Sequence, residues 1–558
     1  MRVSHATIQP AEPPASRIAV LRMKGALGLS RLRAALATPQ GQRRLAWAIV
    51  LALILLDVVL IGQRVLVRHF AYRSEAFDLG NMDQAVWNTL HGHFYRFTNR
   101  GIDWYGPPTR LAIHVEPILL LIAPFYLIHA SAATLLVLQT MALALGAVPL
   151  FALSLRLLPD LPFLGIGFVI AYLASPEILG EALYDFHPVA FATPLLLAAF
   201  YALEVRRYGW FLLAGVLAAA CKEEVALALV PLGLLIALRR GRPWFGASVA
   251  IGAIAWTALC FLVIMPHFNV GVSQGGNAYW YRYSALGGSP ATALRHLLAD
   301  PLLIVPIVFA PDKLGYLALL LRTGGGLGIF APFLLLAALP ELVINLLSAQ
   351  PPQYSGFYHY NAMLLAALLA AAVYGAASLR QARLAALSGA TVASPPASSG
   401  RLEQVVRWWR HLIGRVPIAP RWIAPALFAW LLLSTLWNLG GISYKIRGFW
   451  DAGAGPARDQ AQIAALLSRV PPTATVAATD TLNPHLSDRE TIYLLPDPQA
   501  YTAQYVAVEL TSVPADRQEA DAVMFASMAT SGRYRVVGVA GSVVVLQRIG
   551  PPLTSQRP

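Results

Sequence analysis

Apolar stretches long enough to cross a lipid bilayer recur along this chain, and the turns between them are rich in arginine. A helical span needs about 20 mostly apolar residues. Candidate spans run over roughly 45–66, 132–155, 161–175, 190–205, 209–221, 224–238, 244–265, 312–323, 324–346, 361–379 and 422–440. Hydrophobic residues fill 57% of the 558 positions and charged residues only 13%, about half the charged share of a soluble domain. That excludes a soluble enzyme with one core, a disordered chain and a disulfide scaffold. Cys221 and Cys260 both lie in apolar segments, so neither a disulfide framework nor a zinc site can be built from cysteine. The net charge of +14 points to loops facing anionic lipid, with membrane lipids rather than nucleic acid as partners.

Residues 1–44 carry eight arginines and lysines from Arg2 to Arg44 against the single acid Glu12. The apolar run from Ala46 to Ile61 comes too late for a cleavable signal. The expectation is a basic cytoplasmic tail. Arg206-Arg207, Arg239-Arg240-Gly241-Arg242, Arg380/Arg383 and the basic stretch Arg401–Arg421 then fall on the same side, provided that 111–128 does not cross. That segment carries His114, Glu116, Pro117 and Pro124 and reads as a re-entrant or interfacial helix. The result is about eleven crossings in a multi-pass protein of the cell membrane, N-terminus cytoplasmic and C-terminus outside. The transmembrane core covers 45–383, with a large first outer loop at 67–131. Residues 384–421 are an Ala/Ser/Pro linker ending in the interfacial segment Arg407-Trp408-Trp409-Arg410, and 422–440 is the last span. Residues 441–558 read as a small outer α/β domain. Its β-rich runs are Ala474–Ala478, Thr491–Leu495, Tyr505–Leu510, Tyr534–Val539 and Ser542–Gln547, with a helix around Gln460–Leu467.

With this topology, carboxylates, imidazoles and a lysine gather on the outer face. Asp78 could cap the amphipathic segment whose polar stripe is Asn81, Gln84, Asn88 and His91, lying on the membrane with that stripe outward. It could equally serve as a surface carboxylate that takes a proton from a hydroxyl. His114 and Glu116 could bind phosphate or metal, or simply fix a re-entrant turn. Asp185 and His187 present the same choice, and the four together could form a divalent-metal site without matching a known spacing. Lys222, beside Glu223 and Glu224, could hold a lipid phosphate or form an internal ion pair. The run Tyr279-Trp280-Tyr281-Arg282-Tyr283 suits sugar stacking or an interfacial belt. Glu341 and Asn345 suit function or helix–helix hydrogen bonding. Gly324-Gly325-Gly326 is a helix-breaking turn, not a phosphate loop.

The ordered motifs F-D-L-G-N-M-D-Q-A-V-W-N, H-V-E-P, L-Q-T, D-F-H-P, K-E-E, P-E-L-V-I-N-L-L-S and Y-H-Y-N, followed by V-A-A-T-D, N-P-H-L-S-D-R and Y-L-L-P, cover about 70–550. In them the chain resembles a family of predicted multipass membrane proteins, domain of unknown function two thousand and seventy-nine. That family is similar to the GT-C glycosyltransferases, membrane enzymes that use polyprenyl-phosphate-linked sugars. The resemblance implies a GT-C-like helical bundle and an acidic catalytic base or metal contact just after the first span. Asp78 occupies that place, with Asp83 close behind. An adjacent Asp-Asp or Asp-Glu pair is absent, so a divalent metal stays open.

The reading is a transferase moving a sugar from a polyprenyl-phosphate donor to a glycan, lipid or protein acceptor outside the cytoplasm. Asp78 is its general base. Asp83, Gln84, His114, Glu116, Asp185, His187, Lys222, Glu223, Tyr358, His359 and Tyr360 are the expected substrate-binding residues. Lys222, His187 and His114 would offset the leaving phosphate's charge. The alternatives are a transporter or lipid flippase, disfavoured by the lack of an inverted repeat, and a non-catalytic scaffold displaying the C-terminal domain.

Overall fold

The computed structural model describes residues 38–99, 108–269, 279–387, 419–451, 460–511 and 518–553. The basic tail before Thr38 and residues 388–418, which hold most of the linker and the Arg407-Trp408-Trp409-Arg410 segment, lie outside the described residues, while 384–387, expected to begin the linker, continue the helix Ala362–Leu387.

The first helix, Pro39–Phe70, starts where sequence chemistry favours a start. The Thr38 hydroxyl oxygen accepts the Gly41 N–H at 3.0 Å, and Pro39 has no N–H to leave unpaired. Among the described residues, five helices are long and apolar enough to cross a membrane: Pro39–Phe70, Ala132–Leu157, Pro243–Phe268, His359–Leu387 and Arg421–Gly448. Shorter apolar helices, Pro188–Glu204, Tyr208–Ala219, Val225–Arg239 and Pro332–Leu347, occupy other predicted spans. Pro162–Leu173 bends by 46° into Pro176–Leu183. The predicted span 312–323 is the helix Pro311–Arg322, about 18 Å long at 1.5 Å per residue and short for a bilayer. Gly324, Gly325 and Gly326 follow it with φ of 64°, 69° and 66°, the left-handed region that glycine enters without a Cβ clash. Segment 111–128 forms only the short turns Arg110–Ala112, Leu119–Ile122 and Ala123–Leu127, none long enough to span.

The alanine-rich helix Ala362–Leu387 is the buried centre of the bundle. Its small side chains let backbones approach closely: a Cβ on Gly375 would lie 1.9 Å from the Leu327 carbonyl oxygen. By contrast, Leu51, Leu55, Leu56 and Val59 on the first helix are exposed, as suits a lipid-facing side. The basic turns collect at one end of the bundle. Arg43 donates to the Pro159 carbonyl at 2.8 Å, Arg380 pairs with Asp160, and Arg240 and Tyr374 both reach Glu204, at 2.8 and 2.7 Å. The opposite end of the first helix carries Arg68, bonded to Asp185 at 2.5 Å. The polar motifs lie there.

The C-terminal domain has a five-stranded sheet, ordered β2-β1-β3-β5-β4. The strands are β1 Val476–Ala478, β2 Ile492–Leu494, β3 Tyr505–Glu509, β4 Tyr534–Ala540 and β5 Val543–Arg548. β1 runs parallel to β2 and β3, while β5 is antiparallel to both β3 and β4. Each predicted β-rich run carries one strand, and the predicted helix is Gln460–Leu467. A second helix, Gln518–Thr530, was not foreseen; its sequence has no strong amphipathic stripe to announce it.

Candidate active site

A cavity of about 280 Å³ opens at the Arg68 end, lined among others by Asp78, Arg110, Lys222, Arg282, His359 and Tyr360. It draws on the first outer loop, the turn at 184–189, the break before Val225 and the 352–360 loop. These segments are far apart in sequence and meet because both ends of their helices are packed.

Asp78 sits in a wide turn, Ala76–Gly80, in which the Gly80 N–H reaches back to the Glu75 carbonyl at 3.3 Å. The helix Asn81–Leu90 follows directly, and its start has no side-chain cap. The capping role for Asp78 is therefore overturned. Instead, Asp78 Oδ2 accepts the Tyr184 hydroxyl at 2.9 Å, and Oδ1 lies 3.4 Å from His187 Nε2. Burial alone would raise this carboxyl. His187, the Tyr184 hydroxyl and the Arg110 charge outweigh it and hold Asp78 below its ordinary range.

His187 is held from several directions. Its Nδ1 faces the Asp185 carbonyl at 3.0 Å, so that nitrogen carries a proton. Its backbone N–H donates to Gln139 Oε1 at 2.8 Å, which gives the L-Q-T motif a role. Its ring stacks on His359 at 3.7 Å. Asn345 donates to the Tyr360 carbonyl at 2.7 Å and to the Tyr316 hydroxyl at 3.0 Å. The asparagine of P-E-L-V-I-N thus secures the loop bearing Tyr358, His359 and Tyr360.

The remaining ionisable residues separate into pairs rather than one cluster. Arg110 Nη2 holds Glu116 at 2.7 Å, and Lys222 holds Glu224 at 2.6 Å. Glu223 accepts the Val115 N–H at 3.0 Å and faces His114 Nδ1 at 2.8 Å. Asp185 accepts the Glu75 N–H at 2.7 Å as well as Arg68. Among the described residues no three His, Cys, Asp or Glu side chains converge as metal ligands. His114, Glu116, Asp185 and His187 therefore do not form the divalent-metal site that their spacing left open. Burial, aided by Lys222, pushes His114 down to about 3, so it is neutral and cannot offset a phosphate charge as expected.

Asp83, Gln84, Asp185 and Glu223 do not line the cavity. Asp83 and Gln84 bind the C-terminal domain instead. Asp83 accepts Ser487 and Tyr126 hydroxyls at 2.6 and 2.5 Å, and Gln84 donates to the Glu490 carbonyl at 3.0 Å. The stripe Asn81, Gln84 and Asn88, expected to face outward, is buried: Gln84 and Asn88 donate to the Glu490 carbonyl of that domain, Asn81 lines the cavity, and only His91 is exposed. Sequence reasoning missed Arg110 as a cavity residue; it stands outside the motifs that singled out the other site residues. Arg282 was visible only as part of an aromatic run. It sits over Tyr279 at 4.2 Å and near Tyr360 at 5.7 Å, with no ion pair among the described residues. Asn81 Oδ1 and His359 Nδ1, on two cavity-lining residues, are buried without a hydrogen-bond partner among the described residues.

The seam around Asp83 yields a prediction. Burial, and then Asp488, raise Asp83 to about 7. The folded state thus favours the protonated form. Its contribution is full below the unfolded value near 4 and is lost as pH rises towards 7. Asn in its place would bear protons at every pH and donate to Ser487, whose own proton can turn to the Pro484 carbonyl at 3.3 Å. Asp83→Asn should therefore melt higher than wild type at pH 8, with no gain at pH 4.5, by about 2–4 °C for each kcal/mol regained. Equal midpoints at both pH values would refute this account.

A helical bundle with apolar spans, a polar cavity at one end and a small α/β domain bonded to the loop that carries Asp78 defines a polytopic membrane protein with a candidate active site. The chain belongs to the predicted membrane protein family DUF2079, whose model matches residues 68–539. No curated protein sequence matches it. Among solved structures it is similar to ArnT from Cupriavidus metallidurans bound to undecaprenyl phosphate, with 13% identity over 89% of this chain and 97% of that one, and a TM-score of 0.48. It is also similar to the Archaeoglobus fulgidus oligosaccharyltransferase tethered with an acceptor peptide, with 12% identity over 87% and 72% of the two chains and a TM-score of 0.39.

Proposed function

We propose that this protein is a membrane glycosyltransferase that moves a sugar from a polyprenyl-phosphate donor to an acceptor outside the cytoplasm. The observation carrying this reading is the state of Asp78. Glu116 and Asp185 are each neutralised by a guanidinium. Among the described residues, Asp78 faces the cavity with a tyrosine hydroxyl and an imidazole on its oxygens and no guanidinium bonded to it. It is ionised at neutral pH and can accept a proton.

In the proposed step, an acceptor hydroxyl gives its proton to Asp78. Its oxygen forms the new bond to the anomeric carbon. The bond from that carbon to the phosphate oxygen breaks, and the phosphate leaves with the electron pair. Arg282 is the best-suited cation for the leaving charge, since it has no carboxylate partner among the described residues, and Lys222 and Arg110 add to the field. Tyr279, Tyr358 and Tyr360 line the cavity and are the aromatic candidates for contact with a sugar. The residues present do not assemble a divalent-metal site, so no step is routed through one. The proposed orientation puts the cavity and the C-terminal domain outside and the arginine-rich turns inside.

A transport reading draws on Glu181 and Glu341, both buried within the bundle. Mass spectrometry of lipids and envelope glycans separates the two. In a deletion strain a polyprenyl-phosphate sugar should accumulate while a glycan loses the matching mass, and wild-type complementation should reverse both. Unchanged lipids and glycans would end the transferase reading in favour of transport or a scaffold.

A further inference from the structure

We infer that the C-terminal domain completes the active site, with Asp480 and Asn483 acting as positioning residues for Asp78. The inference rests on the proposed role of Asp78 as base. The motif Asn483–Arg489 belongs to the last domain, yet Asn483, His485 and Ser487 within it contact residues between His69 and Asn99. Ser487 reaches Asp83, and the His485 ring stacks on His69 at 4.2 Å. Most of these contacts could serve docking alone. Those made to residues 76–80 do more, because they hold the turn on both sides of Asp78.

Ala76 is held at both its polar groups. Its N–H donates to Asp480 Oδ1 at 2.8 Å, and its carbonyl accepts Asn99 Nδ2 at 3.0 Å. Asn99 and Asn483 exchange two hydrogen bonds, 2.9 and 2.7 Å long, so the second grip also runs to the C-terminal domain. At the far end of the turn, Gly80 lies directly beneath Asn483: a Cβ there would sit 2.5 Å from Asn483 Oδ1. Gly80 has an ordinary helical φ of −63°, so the glycine is needed for space and not for conformation. A turn wider than an α-helix has poorer intrinsic hydrogen bonding and needs outside support to persist. The domain supplies it, and so fixes where the Asp78 carboxylate meets Tyr184 and His187. A displacement of about 1 Å at a reacting group can cost roughly 10²-fold in rate.

The test uses the full chain in isolated membranes, whose own lipids serve as donor and acceptor, with product followed by mass spectrometry from about pH 2.5 to 8, a window that includes the depressed Asp78 carboxyl. Gly80→Ala should form at least about tenfold less product. Its acid limb should move upward, because an Asp78 displaced from His187 and Tyr184 protonates at higher pH. Adding Asn483→Gly to Gly80→Ala should restore part of the rate and lower the limb again. Should Gly80→Ala fail to accumulate, Asp480→Ala removes the acceptor of the Ala76 N–H and should show the same upward shift. A mere folding role would lower the amount of protein without moving the limb. Wild-type product and an unmoved limb in Gly80→Ala or Asp480→Ala, alongside an inactive Asp78→Asn, would overturn the positioning role. A fully active Asp78→Asn would instead overturn the base assignment beneath it.

Discussion

Asp78→Asn should lower product formation by about 10²–10⁴-fold, the usual worth of a general base, while the protein accumulates in the membrane as wild type does. The substitution keeps the size of the side chain and an oxygen for the Tyr184 hydroxyl. It removes the ability to take a proton. Because the turn around Asp78 has no side-chain cap, the helix Asn81–Leu90 does not depend on this carboxylate. The fold should lose about 1 kcal/mol, one hydrogen bond or ion pair. The sign of the pH effect follows from the depressed carboxyl. The stabilisation from ionised Asp78 is present above its unfolded value near 4 and is lost as pH falls through its lower folded value. Wild-type activity should therefore persist on the acid side until that lower value is reached. Product at the wild-type rate from Asp78→Asn, measured at matched protein level, would remove Asp78 from the mechanism.

The second large effect concerns the buried pair Arg68–Asp185, whose side chains are 5% and 0% exposed. Arg68→Met leaves Asp185 in the interior without its guanidinium. Breaking a buried pair by removing one partner costs about 3–5 kcal/mol. Asp185 also accepts the Glu75 N–H at the entrance to the Asp78 turn, so the loss strikes stability and the site together. Accumulation in the membrane and the melting temperature in detergent should both drop. Combining Arg68→Met with Asp185→Asn should recover most of the loss, because no unpaired charge remains and the amide oxygen can still accept that N–H. A double variant no more stable than Arg68→Met would contradict this account.

The bundle was legible because bilayer-spanning helices must be long and apolar, and this constraint is local. The sheet of the last domain was legible for a related reason: β-rich runs bounded by turn residues have a short period. Asp78 could be singled out by its place after the first span, but its partners could not. Arg110–Glu116, Arg68–Asp185 and Lys222–Glu224 are ion pairs, and the second joins residues 117 positions apart, beyond the reach of any local period. The stripe Asn81, Gln84, Asn88 illustrates the error. Its helical spacing was correct, but polarity alone reads as exposure, and here it marks a seam with another domain.

Hydropathy and charge along the chain determined that this is a multipass membrane protein with its polar motifs apart from its basic turns, since transfer into lipid is priced residue by residue. Tertiary structure decided which carboxylates are neutralised and which one faces the cavity. It also decided that a domain some 400 residues downstream grips the turn of Asp78. Those outcomes depend on distances between side chains that only packing brings together, and electrostatic and hydrogen-bond energies fall away within a few ångströms.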